Sequence, residues 1–433
     1  MNKISCPAIL VSAPASGQGK TLVTAALARA WRNQGLTVQA FKCGPDFIDS
    51  MILQAATGRP VYNLDLGMCG LEDGKMQLYR AAQTADVIVI EGVMGLYDGT
   101  PSSADIAKAF GLPVALVIDA SGMAQTFAAI VHGLYDYEPA LQTAGVIANK
   151  VGSQGHADML KDALCNSARL KEHLSVEIPW LGALIKDEKL SLPERHLGLH
   201  LAHEITDIEA RIEAAAEMLG RDLALPPSVA FDAPIEHTLP KILQGKTIAV
   251  ARDAAFCFIY PANIDCLLSL GADIIYFSPI NDSELPEADA YWLPGGYPEL
   301  HLEHISQNSL MRISLQKAAT VGKPILAECG GMMALGQSLN GTKTFDVIQG
   351  TSEIQSKFQG LGTQHVTIKN SMIGAHTFHY GKFDTPMQTT HIADSRYGKG
   401  EAIYCQGNIT ASFLHFYFPS NPLLTAQFFY HEL

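Results

Sequence analysis

The sequence predicts an α/β fold made of two domains, each built on a mostly parallel sheet. Short apolar runs alternate with helical patterns, and a glycine-rich turn follows one such run near each end of the 433 residues. A proline-rich stretch interrupts the alternation in the middle. Alternating strands and helices are typical of doubly wound sheets, because each helix returns the chain to the same edge. The length allows two cores of ordinary domain size.

The N-terminal half predicts a doubly wound parallel sheet. Its buried strands are expected at Ile9–Ala13, Val87–Glu91, Val114–Asp119 and Gly145–Asn149. Helical patterns separate these runs, and the clearest are at Lys20–Asn33 and Gly122–Tyr135. Continuous apolar runs of this length are typical of strands that are buried on both faces.

A proline-rich segment, Leu223–Gly245, predicts the domain boundary. It carries four prolines and few apolar residues at strand or helix spacing. We therefore expect domains at residues 1–225 and 246–433, joined by a linker at 226–245. The second domain starts a new α/β series, with strands expected at Thr247–Ala251, Asp273–Phe277, Ala290–Leu293 and Pro324–Ala327.

Composition and charge exclude several classes of protein. The net charge of −13 is unsuited to nucleic acid, because phosphate backbones require basic surfaces. No apolar run approaches the roughly 18 residues of a membrane span, and the first residues lack a secretory signal. The eight cysteines are scattered without a Cys-x-x-Cys pair, which indicates a reducing compartment. We expect a cytoplasmic protein that acts on small molecules, with neither nucleic acid nor membrane as a partner.

A phosphate-binding loop is predicted between the strand Ile9–Ala13 and the helix that Lys20 opens. Glycines let backbone N–H groups approach phosphate oxygens, and the helix N-terminus adds partial positive charge. Lys20 is expected to reach the terminal phosphates and Thr21 to bind Mg²⁺. The residues expected to bind the nucleotide are Ser16, Gly17, Gly19, Lys20 and Thr21. Pro14 replaces the first glycine of the usual motif, so an ordinary glycine-rich turn is the alternative.

Acidic residues in the first half are candidates for the metal and substrate sites. Glu91 ends an apolar run, so its carboxylate is expected at the sheet edge where nucleotides bind. Because Mg²⁺ needs oxygen ligands, we expect Thr21, Asp46 and Glu91 to hold it. The candidate substrate contacts are Lys42, Asp49 and Asp98. Asn149 is a candidate for reading a purine edge. Loop-capping and solvated turn residues are the alternatives for these positions.

A nucleophile elbow is predicted at Pro324–Leu335, where a strand, a sharp turn and a helix follow one another with Cys329 in the turn. A helix N-terminus lowers a thiol pKa, so a reactive thiolate is expected. Of the eight cysteines, Cys329 alone has this setting in the sequence. The backbone N–H groups expected at the oxyanion and glutamine site are those of Gly295, Gly296 and Gly330. A tight strand–helix connection is the alternative for the Gly295–Gly296 turn.

The general base for this cysteine should be a histidine that the fold brings close. His415 follows the apolar run Ile409–Leu414 and is the best placed of the fifteen histidines. His376, His379 and His391 compete with it, and the pattern alone does not separate them. A histidine packed in the core is the alternative role for His415.

Eight motifs, in order, carry a resemblance to a known family. They are APASGQGKT at 13–21, FKCGPDFID at 41–49, EGVMGLYDG at 91–99, LPERHLGL at 192–199, ARDAAFCF at 251–258, LPGGYPEL at 293–300, AECGG at 327–331 and SFLHF at 412–416. The chain resembles the cobyrinic acid a,c-diamide synthases of cobalamin biosynthesis, including the hydrogenobyrinic acid form. The resemblance covers almost the whole sequence.

This resemblance implies a fold and an activity. The N-terminal domain is expected to be an ATPase of the dethiobiotin-synthetase type, and the C-terminal domain a class I glutamine amidotransferase. It implies ATP- and glutamine-dependent amidation of a corrinoid polycarboxylate with Mg²⁺, and it selects His415 as the partner of Cys329. Ordinary class I enzymes carry a Glu two residues after that His, whereas this chain has Tyr417. What orients His415 is therefore left open.

Related and unrelated alternatives stay open at this point. Cobyric acid synthase amidates other side chains, and nickel-sirohydrochlorin a,c-diamide synthase acts on another macrocycle. A partition-type regulatory ATPase is a different class, but it carries an extra Lys early in the loop, where this chain has Ala15. The sequence decides neither whether the macrocycle holds cobalt nor whether the protein forms a homodimer.

Overall fold

The computed structural model describes residues 3–166, 178–195, 198–199, 201–235, 238–396 and 398–430. The chain divides into two compact units. The first comprises Met1–Leu66 and Gly70–Ile235, and the second Gly67–Cys69 and Glu236–Leu433. Positions 196 and 197 of the LPERHLGL motif and positions 236 and 237 of the expected linker lie outside the described residues.

The first unit is a doubly wound parallel sheet, as the sequence predicts. Its strands are β1 (Lys3–Ser12), β2 (Val38–Cys43), β3 (Tyr62–Leu64), β4 (Val87–Glu91), β5 (Val114–Asp119), β6 (Thr143–Val151), β7 (Trp180–Ile185), β8 (Glu194–Arg195), β9 (Gly198–Leu199) and β10 (Ser228–Asp232). Its helices are α1 (Lys20–Asn33), α2 (Ile48–Thr57), α3 (Leu71–Thr84), α4 (Ser103–Phe110), α5 (Thr126–Tyr137), α6 (Gln154–Asn166) and α7 (Ile208–Leu219). The parallel strands run in the order β3-β2-β4-β1-β5-β6-β7.

Both faces of this sheet are buried, which explains its continuous apolar strands. Along β1, Leu10 packs into one hydrophobic cluster and its neighbour Ile9 into another. In the same way, Ile88 of β4 packs into the first cluster and Val89 packs into the second. Successive side chains of a strand point to opposite faces, so both must be apolar where helices cover both.

A strand that the sequence does not predict lies within the expected linker. Strand β10 pairs antiparallel with the first half of β1, from Lys3↔Asp232 to Pro7↔Ser228. Val229 and Phe231 are buried, whereas the residues between and beside them are exposed. Five residues flanked by prolines are too few to show this alternation clearly in the sequence. The domain limits drawn from the sequence stay a prediction.

The second unit is also α/β. Its strands are β11 (Thr247–Ala251), β12 (Asp273–Phe277), β13 (Ala290–Leu293), β14 (Ile325–Glu328), β15 (Ser338–Leu339), β16 (Thr342–Lys343), β17 (Thr351–Ile354), β18 (Gly360–Ile368), β19 (Ser371–His379), β20 (Gly381–Asp384), β21 (Thr389–Ser395), β22 (Gly398–Gln406), β23 (Ile409–Ser412) and β24 (His415–Phe416). Its helices are α8 (Pro261–Ser269), α9 (Leu302–Gln307), α10 (Ser309–Thr320), α11 (Gly330–Leu335) and α12 (Pro422–Tyr430).

The main sheet of this unit joins a parallel part to an antiparallel part. Its order is β12-β11-β13-β14-β23-β22-β21-β18-β19-β24. Strands β11 to β14 and β23 are parallel, and those from β22 onward are antiparallel to their neighbours. The sequence predicts the parallel strands β11 to β14, but neither β23 nor the antiparallel strands, which mix polar and apolar residues. No helix in the described ranges is long and apolar enough to cross a membrane.

Candidate active sites

The phosphate loop connects β1 to α1 through two glycines with left-handed backbone. Gly17 has φ +77° and Gly19 has φ +86°, a conformation that favours glycine. A Cβ on Gly19 would overlap the side-chain amide of Asn149. Ser16 and Gly17 are exposed at the tip of the loop, and α1 begins at Lys20. These residues form a backbone cradle at a helix N-terminus, which is suited to phosphate.

Lys20 is held against the backbone beside this loop. Its Nζ donates hydrogen bonds to the carbonyls of Met94 at 2.5 Å and Ala15 at 3.3 Å. Burial, together with the nearby positive charge of Lys42, lowers the pKa of Lys20 to about 8. A terminal phosphate would replace neutral carbonyls with charged oxygens, which bind an ammonium group more strongly.

The structure brings Thr21, Lys42, Asp49 and Glu91 together. Thr21 Oγ1 donates to Glu91 Oε1 at 2.7 Å and lies 3.3 Å from Asp49 Oδ1. Lys42 Nζ lies 2.7 Å from Asp49 Oδ2 and 3.2 Å from Glu91 Oε1. Burial raises the pKa of Glu91 to about 7, although the adjacent Lys42 opposes this shift. The cluster therefore couples the end of β4 to the start of α1.

Asp46 and Asp98 shape turns beside this cluster. Asp46 Oδ1 accepts the backbone N–H of Asp49 at 2.8 Å, in the turn that opens α2. Burial and the proximity of Asp49 raise the pKa of Asp46 to about 6. Asp98 Oδ2 accepts the backbone N–H of Gly95 at 3.1 Å. Asp49, rather than Asp46, is thus the aspartate that hydrogen bonds with Thr21.

The donor set fits a magnesium ion that also contacts phosphates. Within the described ranges, Glu91 Oε2 is buried without a hydrogen-bond partner, beside the Thr21 hydroxyl. The same ranges contain no group of three or more His, Cys, Asp or Glu residues that could hold a metal. Mg²⁺ in phosphate sites takes one or two protein oxygens and completes its shell with phosphate and water. The ligand assignment to Thr21, Asp46 and Glu91 stays a prediction.

Residues at the ends of β5 and β6 complete the surroundings of the loop. Asn149 Nδ2 donates to the Gln18 carbonyl at 2.8 Å, and its Oδ1 accepts the N–H of Lys150. Lys150 Nζ lies 2.8 Å from Asp119 Oδ2. The sequence reasoning selected Asn149 but missed Asp119 and Lys150. The sequence feature that could have identified these two residues is their position at the carboxyl end of an apolar run, which Glu91 shares.

Cys329 occupies a strained turn between β14 and α11. Its backbone has φ +48° and ψ −109°, which a residue with a Cβ rarely adopts. Its N–H donates to the Ser412 carbonyl at 2.7 Å. Observed strain of this kind is typical of functional sites. The predicted elbow geometry is present, with the side chain almost fully buried.

Gly295 separates Cys329 from His415 and lets them approach. A Cβ on Gly295 would overlap His415 Cε1, and would lie 3.0 Å from His415 Nδ1 and 3.3 Å from Cys329 Cβ. The His415 ring centroid lies 6.2 Å from that of His376 and 6.1 Å from that of Phe258. Of the four histidines that the sequence left in competition, His415 is therefore the one that lies against the same glycine as Cys329.

The other competing histidines have other surroundings. His376 lies opposite His415 in the β19–β24 pair. His379 Nε2 lies 2.9 Å from Glu401 Oε1, and its ring stacks on Phe413 with centroids 3.7 Å apart. His391 lies on β21. These contacts are consistent with packing or supporting roles.

Burial makes the Cys329–His415 pair neutral. It raises the pKa of the Cys329 thiol, and nearby Glu299 adds to this. It also lowers the pKa of His415 well below 6.5, and His376 and His379 add to that shift. The lowered thiol pKa expected from the helix N-terminus is therefore wrong, because desolvation outweighs a short helix. A neutral imidazole can still accept the thiol proton during attack.

Two glycine turns pack against each other beside the thiol. A Cβ on Gly296 would overlap the Ala255 carbonyl, and one on Gly330 would lie 3.0 Å from Gly296 N. The backbone of the Gly295–Gly296 turn therefore lies directly against the start of α11. This arrangement suits an oxyanion hole, and the assignment to Gly295, Gly296 and Gly330 stays a prediction.

Glu328, which the sequence reasoning missed, is a buried carboxyl beside the nucleophile. Its Oε1 accepts the N–H of Phe416 at 2.7 Å, and its Oε2 accepts the indole N–H of Trp292 at 2.8 Å. Burial raises the pKa of Glu328 to about 8, although both hydrogen bonds oppose the shift. The signal in the sequence is an acid at the end of an otherwise apolar strand.

Comparison with known proteins covers both units. Residues 9–199 match a nucleotide-binding domain model described as CobQ/CobB/MinD/ParA, and residues 247–423 match a CobB/CobQ-like glutamine amidotransferase domain. A hydrogenobyrinate a,c-diamide synthase of Stutzerimonas stutzeri is 47% identical, covering 98% of this chain and 99% of that one. The chain belongs to the cobyrinate and hydrogenobyrinate a,c-diamide synthase family.

Other relatives place the chain in the same diamide synthase family. A cobyrinate a,c-diamide synthase of Herminiimonas arsenicoxydans is 46% identical, covering 98% of this chain and 97% of that one. Another of Listeria innocua is 36% identical over 99% of both chains. The resemblance drawn from the motifs is therefore confirmed, as is the combination of nucleotide-binding and amidotransferase domains.

The substitution Gly295→Ala tests the close approach of Cys329 and His415 in this diamide synthase. The new methyl group should displace the imidazole, so we expect glutamine hydrolysis to fall about 100-fold or more. Ammonia-dependent amidation should persist, because it does not use this pair. Gly133→Ala is the matched control, since a Cβ there meets open space. Normal glutamine hydrolysis by the Gly295 variant would contradict the arrangement.

The pH dependence of glutamine hydrolysis tests the neutral pair. A base works in its unprotonated form, so activity is lost as the pH falls through its pKa. Because the pKa of His415 is lowered, this loss should occur well below the ordinary histidine value of about 6.5. We expect kcat/KM to show no decline centred near pH 6.5. A decline centred there would indicate a solvated histidine instead.

Proposed function

We propose that this protein amidates the a and c acetate carboxylates of cobyrinate or hydrogenobyrinate, using glutamine and ATP with Mg²⁺. The observation that carries the proposal is the meeting of Cys329 and His415 at Gly295, in a chain that also holds a phosphate loop. The names of the full-length relatives supply the substrate class. This assigns the reaction to the carbon–nitrogen ligases that take their nitrogen from glutamine.

Ammonia would be released in the second unit. The neutral His415 accepts the thiol proton as Cys329 Sγ attacks the glutamine carboxamide carbon. Backbone N–H groups of the glycine turns would stabilise the oxyanion of the tetrahedral intermediate. The proton on His415 passes to the departing nitrogen, ammonia leaves, and water hydrolyses the glutamyl thioester. Glutamate and the free thiol result.

The carboxylate would be activated in the first unit. A carboxylate is a poor acylating group because its leaving group would be oxide, so phosphorylation by ATP must precede amidation. The substrate carboxylate attacks the terminal phosphorus of ATP, releasing ADP, and ammonia then displaces phosphate from the acyl phosphate. Lys20 and the loop N–H groups would stabilise the transferring phosphoryl group. A bound Mg²⁺ would neutralise charge on the phosphate oxygens.

The chain's own side chains would organise this centre. Thr21 and Glu91 are the favoured magnesium ligands because their side chains adjoin and, among the residues that the structure describes, Glu91 Oε2 has no hydrogen-bond partner. Asp46 is the third candidate from the sequence. Lys42, whose Nζ lies close to Asp49 and Glu91, would offset the negative charge of these two acids. Contact of Lys42, Asp49 or Asp98 with the corrinoid stays a proposal, as does recognition of the purine by Asn149.

The alternatives differ mainly in substrate. The relatives that are 47% and 46% identical carry the two different macrocycle names, so identity does not separate them. Assays of the purified enzyme with cobyrinate, hydrogenobyrinate and nickel-sirohydrochlorin would decide among the macrocycles. Cobyric acid synthase differs in the side chains that it amidates, which analysis of the product would show. A partition-type ATPase leaves the amidotransferase domain unexplained.

The substitution Cys329→Ser tests the glutamine site. Glutamine-dependent amidation should fall more than about 1000-fold, because a serine hydroxyl is a far weaker nucleophile here. Amidation with ammonium salts should continue at the wild-type rate. Cys405→Ser, in the same unit, is the matched control and should change neither activity. Equal loss with both nitrogen sources would disprove the two-site scheme.

The substitution Lys20→Ala tests the nucleotide site. Removing the charge that would face the terminal phosphate should lower amidation with either nitrogen source by about 100-fold or more. Glutamine hydrolysis measured as glutamate release should remain detectable. Lys75→Ala, which removes a half-exposed lysine on α3, provides the control. Unchanged amidation by the Lys20 variant would exclude this lysine from phosphoryl transfer.

A further inference from the structure

Glu328 is a buried carboxyl group that the amidation chemistry does not itself use. It is the last residue of β14, precedes Cys329 and is only 1% exposed. Its two oxygens accept one hydrogen bond each, from the Phe416 N–H at 2.7 Å and the Trp292 indole at 2.8 Å. Because each oxygen of this buried carboxyl group accepts a hydrogen bond, the surrounding residues favour a carboxyl group at this position.

The bond to Phe416 acts on the backbone of the catalytic histidine. The Phe416 N–H belongs to the peptide bond that joins His415 to Phe416, so its direction depends on the ψ angle of His415. The ladder between β14 and β23 ends at Glu328↔Ser412. The Glu328 side chain therefore reaches the chain beyond the point where backbone pairing with β14 stops.

The next peptide bond is also held from the same side. Asn263 Nδ2 donates to the Phe416 carbonyl at 2.8 Å, and its Oδ1 accepts the Phe418 N–H at 2.8 Å. On its other edge, β24 pairs with β19 through His376↔His415. Two buried side chains thus replace a missing strand along one edge of β24.

This chain needs such a device because the usual one is replaced. Ordinary class I amidotransferases have a Glu two residues after the histidine, and Tyr417 stands there instead. The ring of Tyr417 packs against Tyr260 with centroids 5.8 Å apart, and its N–H donates to the Gly374 carbonyl. A strand of two residues fixes its own dihedral angles weakly, because it makes few ladder hydrogen bonds.

We propose that Glu328 is the positioning residue of His415. By fixing the peptide bond after the histidine, its carboxyl group directs the imidazole toward Cys329. Trp292 holds the second oxygen and lies on β13, which leads into the Gly295–Gly296 turn. One carboxyl group therefore aligns the strands that carry the nucleophile, the base and the predicted oxyanion turn. The inference rests on the proposed glutaminase role of Cys329 and His415.

The substitution Glu328→Gln tests this role. Glutamine keeps the shape but has one acceptor oxygen, so its NH₂ group must face one of the two donors. We expect kcat for glutamine hydrolysis to fall about 10- to 100-fold with KM within about twofold, because misalignment acts on the transition state. Ammonia-dependent amidation should be unchanged. Glu353→Gln, an exposed position on β17, is the matched control.

A second variant covers the case in which Glu328→Gln does not fold. Asn263→Asp keeps the acceptor for Phe418 but loses the donor to the Phe416 carbonyl, so it should also lower kcat and spare KM. Wild-type kcat in a folded variant at either position, or an equal fall of ammonia-dependent amidation, would overturn the positioning of His415 through these buried hydrogen bonds. Persistence of glutamine hydrolysis in Cys329→Ser would instead refute the proposed function, whatever Glu328 does.

Discussion

The left-handed backbone at Cys329 is the constraint on which the second unit's chemistry depends. Strain of this kind costs about 1–3 kcal/mol and persists only where the surroundings hold it. Here the Cys329 N–H is bonded to Ser412 of the neighbouring strand. A Cβ on Gly331 would overlap the Leu293 carbonyl, so the elbow and the β13 turn are packed backbone to backbone. The orientation of the thiol is therefore fixed by contacts with the parallel strands β13 and β23 rather than by a loop.

The two units treat buried ionisable groups in opposite ways at the carboxyl ends of their sheets. In the first, the buried Lys42 ammonium group lies between the acids Asp49 and Glu91, so its positive charge faces two acidic side chains. In the second, burial drives Cys329 and His415 toward their neutral forms. Compensated charge suits the binding of a polyanion and a cation, whereas a neutral pair suits a proton transfer that accompanies attack.

The sequence predicts the parts of this molecule that depend on local pattern. Continuous apolar runs identify β1, β4, β5, β6 and β11 to β14 but not the parallel strands β2, β3, β7 and β23, and the setting of Cys329 identifies the elbow. Contacts between residues that are distant in the sequence do not follow from such local patterns. Glu328 meets Phe416, 88 positions away, only because β14 and β23 are neighbours in the sheet.

Two other features show why contacts of this kind do not follow from the local sequence pattern. Asp46 and Asp49 are equivalent in a sequence, and only the start of α2 decides which one turns toward Thr21. The antiparallel strands of the second unit have mixed faces, so their pattern competes with that of loops. Both outcomes depend on which elements become neighbours, and apolar spacing along the chain does not encode that.

Strand β10 has a consequence for how the first unit is made as a separate polypeptide. It forms hydrogen bonds with the half of β1 that precedes the β4 and β5 pairings, and it contributes Val229 and Phe231 to the core. A fragment ending at residue 225 would leave that half of β1 as a bare edge with an uncovered apolar pocket, which invites aggregation. The natural end point for an isolated fragment is therefore near Ile235, beyond the last residue of the returning strand.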